Sequence, residues 1–499
     1  MATLDEKQIN HVADSPESQS DGDQPDIDWT PEEEQRLLRK VDVLIMPLLI
    51  LAFFALQIDR GNMGNALTDN FLKDVGITQN QFNVGQQLLS AGIVVLEIPS
   101  NLVLHRVGPT LWIGGQIVAW GLVATFQAFQ KGLGPFMVTR LLLGLCEAGF
   151  IPAALFTMTR WYKLDETSKR FSWFFLGNML AAACSGLIAY GILHMRGVAN
   201  LAGWQWLFLI EGIFTVLVGI CFLVFFPNQV SNPVSLAGMR YFTEREAEIL
   251  YSRVMFDDPT KAQPRRKVSG PELKAALTNW RLIPHIIFTI AALSPSSTLS
   301  SYAPSLVASF GYEKLQANAM VSIGAWLLIP VNLLWGWLAD RTKVRGPWVF
   351  LALLIFWGFN VGPLLSCVFI GSAIQTSNEA QLGNMLLIDS QRTQRFAMLT
   401  MSVAFSFPWH PVNGAWVSMN AKSAGERSIT MAMLIMAANC SGIVGKQLFR
   451  EEDAPKYRQG WTVITGLVTA AVVCGIWANV QYYILNKRRL KRTGLKYQY

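Results

Sequence analysis

Hydrophobic residues along this chain come in long blocks, and short polar segments divide them. The blocks hold about 20 residues each, enough to cross ~30 Å of hydrocarbon as an α-helix. Twelve such segments are read, at roughly 43–68, 82–104, 110–129, 134–159, 172–194, 205–227, 281–309, 316–338, 347–370, 396–419, 428–448 and 461–485. The polar stretch 228–279 separates six from six. The pattern predicts an all-α membrane protein, with twelve transmembrane helices in two pseudo-symmetric six-helix bundles. It divides into an N-terminal tail (1–41), a first bundle (42–227), a linker (228–279), a second bundle (280–485) and a basic tail (486–499). Residues 1–28 are polar and acidic and read as disordered. Thr30-Pro31-Glu32-Glu33 reads as a capping box opening a helix that runs to the membrane, and a short amphipathic helix is expected from Thr243.

Composition agrees. The 499 residues are 52% hydrophobic and only 15% charged, too few charges for a soluble multidomain protein of this length. An even number of spans puts both termini on one side. About 29 of the 41 Lys and Arg residues fall on that side and about 10 on the other, so the termini and the linker are expected to be cytoplasmic. The net charge of +7 then reports orientation, and no nucleic-acid partner is implied. All six cysteines lie inside predicted spans without metal-ligand spacing, so neither a disulfide nor a metal is expected. Ser-His-Asp, P-loop and cofactor signatures are missing, which argues against an enzyme and against any cofactor.

The halves resemble each other. Gly-Pro pairs follow the second and eighth spans, at Gly108-Pro109 and Gly346-Pro347. The fifth and eleventh spans carry Cys184-Ser185-Gly186-Leu187-Ile188 and Cys440-Ser441-Gly442-Ile443-Val444. The second separation is longer, and the added residues are assigned to a polar exterior loop at 371–391.

Charges inside the spans are the main candidates for chemistry. The apolar run 43–58 covers only ~24 Å of helix, so the first span must continue through Asp59-Arg60-Gly61-Asn62. An isolated Arg at that depth costs at least ~2.5–3.5 kcal/mol and needs a partner or a wet cavity. Gly61 and Gly64 would admit a close neighbour. In the fourth span Arg140, Gly144 and Glu147 share a helix face, and Arg140 and Glu147 are ~10 Å apart along the axis. Each must therefore look to another helix, and the expected pairs are Asp59 with Arg140 and Arg60 with Glu147. Glu97 and Glu211 are further buried acids, although Glu211 could snorkel to an interface. No Asp or Glu lies well inside a span between 281 and 445, so the second half reads as neutral and aromatic. Its candidates are Tyr302 beside Pro304, Asn413 in the stripe Trp409, Asn413, Trp416 and Asn420, and Asn439. His410 reads as a hydrogen-bonded structural histidine.

The stretch Gly336-Trp337-Leu338-Ala339-Asp340-Arg341, with Arg345, resembles the gating loop of the major facilitator superfamily, where such residues latch neighbouring helices. In the first half His105 replaces the acid. Asp59-Arg60-Gly61-Asn62, Glu97-Ile98-Pro99-Ser100-Asn101, Arg140 to Gly149, Trp204-Gln205-Trp206 with Glu211, and Phe449-Arg450-Glu451-Glu452-Asp453 narrow the likeness. Together they resemble the fungal allantoate permease branch of its anion:cation symporters. That resemblance implies two rocking six-helix bundles and proton-coupled import of a small organic anion, by a monomer in the plasma membrane. It implies Arg60 as anion contact; Arg140, Tyr302, Asn413 and Asn439, read from their places in the spans, are the further candidate substrate contacts. Asp59 and Glu147 would carry the proton, and Asp340, Arg341 and Arg345 the gate. A proton-antiport exporter and a nutrient receptor are the alternatives.

Overall fold

A computed structural model describes residues 29–257, 270–373, 381–421, 424–454 and 457–493. The 1–28 tail, Pro264-Arg265-Arg266-Lys267 of the linker, Pro455-Lys456 and residues 494–499 lie outside the described residues. The first half contains α1 (Pro31–Ala66), α2 (Phe71–Val75), α3 (Gln79–Val107), α4 (Pro109–Phe126), α5 (Leu133–Glu147), α6 (Phe150–Trp161), α7 (Leu164–Leu193) and α8 (Gly203–Phe225). A short hairpin follows, β1 (Pro227–Gln229) with β2 (Asn232–Ser235), then α9 (Glu244–Asp257) and α10 (Gly270–Leu277). The second half contains α11 (Leu282–Ser309), α12 (Lys314–Thr342), α13 (Gly346–Ala373), α14 (Gln381–Ala404), α15 (Trp409–Met419), α16 (Ala424–Gly445) and α17 (Arg458–Thr493). Among the described residues, eight helical stretches are long and apolar enough by themselves to cross a membrane.

Helix α1 starts on the expected capping box, with Thr30 and Glu33 each accepting from the other's backbone N–H. It runs unbroken through Asp59 and Arg60 to Ala66, since a break facing lipid would strand backbone polar groups. Two passes read as single helices are broken instead. The fourth splits into α5 and α6 at Ala148–Gly149, where Gly149 adopts φ +81°. Gln116 of α4 donates to the carbonyls of Ala148 (2.7 Å) and Cys146 (3.3 Å), satisfying acceptors that the break releases. The tenth pass divides between α14 and α15, ahead of Pro408, whose ring disfavours helical Phe407. The 371–391 stretch is also not simply a loop. Helix α13 reaches Ala373 and α14 begins at Gln381, while 374–380 lie outside the described residues. Likewise α17 carries the basic tail on as helix to Thr493.

The linker is docked on the first half. Thr243 caps α9, with Glu246 completing the box. From α9, the fully buried Arg253 side chain pairs with Glu34 (2.9 Å) and with Glu166, and Glu246 takes a bond from Lys40 at 2.7 Å. Burial alone would push the Glu246 carboxyl up. Hydrogen bonds from Lys40 and the Thr243 backbone outweigh it and hold the group below the usual carboxylate range. Phe256 stacks on Trp29 at 5.8 Å.

The two halves meet along three seams, and small residues sit on each. A Cβ on Gly186 of α7 would lie 2.1 Å from the Asn318 carbonyl of α12. One on Gly442 of α16 would lie 2.9 Å from Ser90 Oγ of α3, and one on Gly64 of α1 would lie 2.7 Å from the Ser300 carbonyl of α11. Pass five thus packs on pass eight and pass eleven on pass two, contacts that interchange when the halves are swapped. The two Cys-Ser-Gly motifs occupy equivalent places in this arrangement. Within the first half, Gly144 of α5 lies so close to α3 that a Cβ would sit 2.2 Å from the Leu89 carbonyl oxygen.

That approach yields a test. Gly144→Val should cost at least ~3 kcal/mol, because backbone rather than a flexible side chain stands in the way. Gly191→Ala, whose Cβ meets nothing within 4 Å, should leave the melting temperature of the purified protein unchanged. Equal melting temperatures for the two variants would contradict the packing described.

Candidate substrate site

Arg60 and Glu147 meet between α1 and α5. Arg60 Nε lies 2.7 Å from Glu147 Oε2, with the glutamate side chain fully buried and the arginine side chain 26% exposed. Helix α5 ends at Glu147, so its partial negative dipole end faces the same guanidinium. This is the expected pair. The other one does not form. Successive residues on a helix point ~100° apart, so Asp59 and Arg60 cannot both face α5. With Arg60 committed there, Asp59 turns to α8, and its Oδ2 accepts from Thr215 Oγ1 at 3.0 Å. Arg140 is left 1% exposed, and none of its three guanidinium nitrogens has a hydrogen-bond partner. Its guanidinium carbon lies 5.9 Å from the centre of the Phe136 ring.

The other candidates occupy distinct places. Asn439 of α16 donates to Glu97 Oε2 at 2.9 Å, joining the halves. Glu211 is 3% exposed and lies well inside α8, so it does not snorkel. Asn413 Oδ1 sits 2.6 Å from His285 Nδ1 inside the second bundle. His410 stacks among Phe407 and Trp409, while its Nδ1 has no hydrogen-bond partner.

Hydrogen bonds between the halves gather at the face opposite the linker, here called the far face. There Tyr302 donates to Asn83, and Asn83 Nδ2 to the Phe449 carbonyl at 2.8 Å. Gln79 reaches the same carbonyl at 3.1 Å, and Asn80 Nδ2 reaches Glu452 at 2.9 Å. On the linker face the gating residues bond within their own loop. Arg345 Nη2 donates to Asp340 Oδ1 at 3.0 Å, and Arg341 lies over the Trp337 ring at 5.0 Å. The side chain of His105 lies outside the described residues.

One residue corrects the reading of a neutral second half. Lys446, just beyond the end of α16, donates to Ser301 Oγ (2.5 Å), the Ser297 carbonyl (3.2 Å) and Ser300 Oγ (3.5 Å). Its place inside the predicted eleventh span, four residues past Gly442, was the available signal.

Two six-pass halves around a buried charge cluster define a membrane solute carrier rather than an enzyme. The sequence profile of the Major Facilitator Superfamily matches residues 49–446, and the chain belongs to that superfamily. An uncharacterized transporter of Saccharomyces cerevisiae is 31% identical over 92% of this chain and 82% of its own length. A transporter of Agrobacterium vitis, named as a candidate tartrate transporter, is 28% identical over 63% of this chain and 68% of its own. Among solved structures, a bacterial homologue of the human lysosomal transporter Spinster superposes with TM-score 0.62 at 13% identity, covering 91% of this chain and 97% of its own. The E. coli xylose transporter XylE gives 0.62 at 13% identity, covering 86% and 96%.

The central pair makes a quantitative prediction. Arg60→Met strands a buried carboxylate and should lower stability by about 3 kcal/mol. Adding Glu147→Leu should restore most of that loss. A double variant as unstable as Arg60→Met, in chemical unfolding of the purified protein, would show that the pair does not carry the effect.

Proposed function

We propose that this chain moves a small organic anion together with protons by alternating access. The Arg60–Glu147 pair carries the reading: a cation at membrane depth, held by a single buried carboxylate that can take a proton. Protonation of Glu147 frees the guanidinium, which then binds a substrate carboxylate through a charge-assisted, bidentate contact. Deprotonation after the change of access returns Glu147 to Arg60 and expels the anion. Asp59, turned to Thr215, is the second proton carrier in this scheme. The tartrate assignment of the Agrobacterium vitis relative supports an anionic substrate.

The positive-inside bias supports a cytoplasmic linker face with both termini there, and plasma-membrane residence fits import. The far-face contacts then form the exterior seal, and the gating loop, bonded to itself, stands in its unlatched form. Tyr302 is part of that seal here, and Asn413 braces α15 against α11. In the outward-open state Tyr302 comes into reach of the substrate, with Asn439 released from Glu97.

Proteoliposome uptake tests the coupling. With Glu147→Gln, stimulation by an inward proton gradient should fall by ~10-fold or more, equivalent to at least ~1.4 kcal/mol of lost drive. Counterflow exchange of the same labelled carboxylate should persist, because exchange needs no net proton movement. Gradient-driven accumulation with the wild-type pH profile would remove Glu147 from the mechanism.

A further inference from the structure

Resting on the reading of an organic-anion carrier, we infer that Lys446 is the second anchor of a two-ended anion site and that the substrate is a small dicarboxylate bridging the halves. Gly64 of α1 packs against the backbone of Ser300 and Ser301 on α11. The Ser300 carbonyl there is the one that Pro304 deprives of its usual helical donor. Both helices run in the same direction from the linker face, so Arg60, one turn before Gly64, stands level with Ser297. The Ser297 carbonyl is one of the three oxygens that Lys446 Nζ touches. The ammonium therefore lies across the inter-half seam from the guanidinium, at matching depth.

Next comes neutralisation. Lys446 bonds only to neutral oxygens of Ser297, Ser300 and Ser301, and among the described residues no carboxylate lies within 4.0 Å of it. Arg140, almost fully enclosed, donates to nothing. Glu147 is taken up by Arg60, Glu97 accepts from Asn439, Asp59 faces α8, and Glu211, buried in α8, contacts neither Arg140 nor Lys446. Two cations thus remain without a contacting acid, Arg140 on the first half and Lys446 on the second. A buried cation in that condition is costly, and an incoming anion relieves it. One carboxylate can meet Arg60 on the first half. Only a second carboxylate on the same small molecule satisfies Lys446 as well. Such a ligand ties the halves together through opposite charges, so occupancy of both ends favours closure. A monoanion leaves like charges facing across the seam.

The experiment uses the full-length protein in nanodiscs and calorimetric binding of dicarboxylates of three to six carbons, each beside its monomethyl ester. At least one diacid should bind ~10-fold or more tightly than its ester, a difference of ~1.4 kcal/mol. Lys446→Gln should erase that preference while leaving ester affinity unchanged, Lys446→Arg should keep it, and Arg60→Gln should weaken diacid and ester alike. Esters that bind wild-type protein as tightly as the diacids overturn the inference without any variant. So does Lys446→Gln protein that retains the preference or loses both ligands equally. Binding of neither form to wild-type protein would overturn the inference; the organic-anion reading itself falls if the counterflow exchange described above also fails with every labelled carboxylate. Binding of esters without diacids would overturn only the inference.

Discussion

A guanidinium at membrane depth has few tolerable surroundings, and Arg60 finds one at the end of α5. The fully buried Glu147 carboxylate and the α5 dipole both favour the cation there. This contact fixes the rotation of α1 about its axis. Once Arg60 faces α5, helical geometry sends Asp59 to Thr215 on α8, and Asn65 to Ser185 on α7 at 2.9 Å. The polar face of α1 is therefore distributed among three neighbours, and α1 becomes the organising element of the first half. The break after Glu147 belongs to the same arrangement. Gln116 takes up the released carbonyls, so the chain can end α5 beside the arginine without stranding backbone acceptors.

Small residues make the arrangement possible. Charges and short hydrogen bonds require backbones closer than ordinary apolar side chains allow. Gly144 brings α5 against α3, and Gly64 brings α1 against α11. At Gly64 the neighbour is itself unusual, because Pro304 leaves the Ser300 carbonyl without its normal donor. Polarity at the centre of the molecule thus comes from altered helices as much as from charged side chains.

Charged side chains at the centre are held differently from those beneath the linker. Beneath the linker, arginines are matched by acids: Arg253 has Glu34 and Glu166, and Arg170 has Asp42 at 2.8 Å. At the centre Arg140 is enclosed yet donates to nothing, and one oxygen of Glu147 has no partner. A protein that closed every such contact internally would gain stability and lose the capacity to exchange one partner for a ligand. The far face shows the complementary behaviour, with dense hydrogen bonds, mostly between neutral groups, that can form and separate with little stranded charge.

Much of this was legible in residue order. Block length and hydropathy dictated twelve passes, since lipid permits few alternatives to a continuous helix. The Thr30 capping box, the passage of α1 through Arg60, the shared face of Arg140, Gly144 and Glu147, and the Arg60–Glu147 pair all follow from local periodicity and the cost of an unpaired charge. Tertiary packing decided the rest. It determined that Asp59 faces α8, that passes four and ten are broken, that Asn413 meets His285, and that Lys446 bonds to the serines of α11. These outcomes depend on which helices are neighbours and how each is rotated. Periodicity places a residue on a face of its own helix, whereas contacts made hundreds of residues away settle what that face meets.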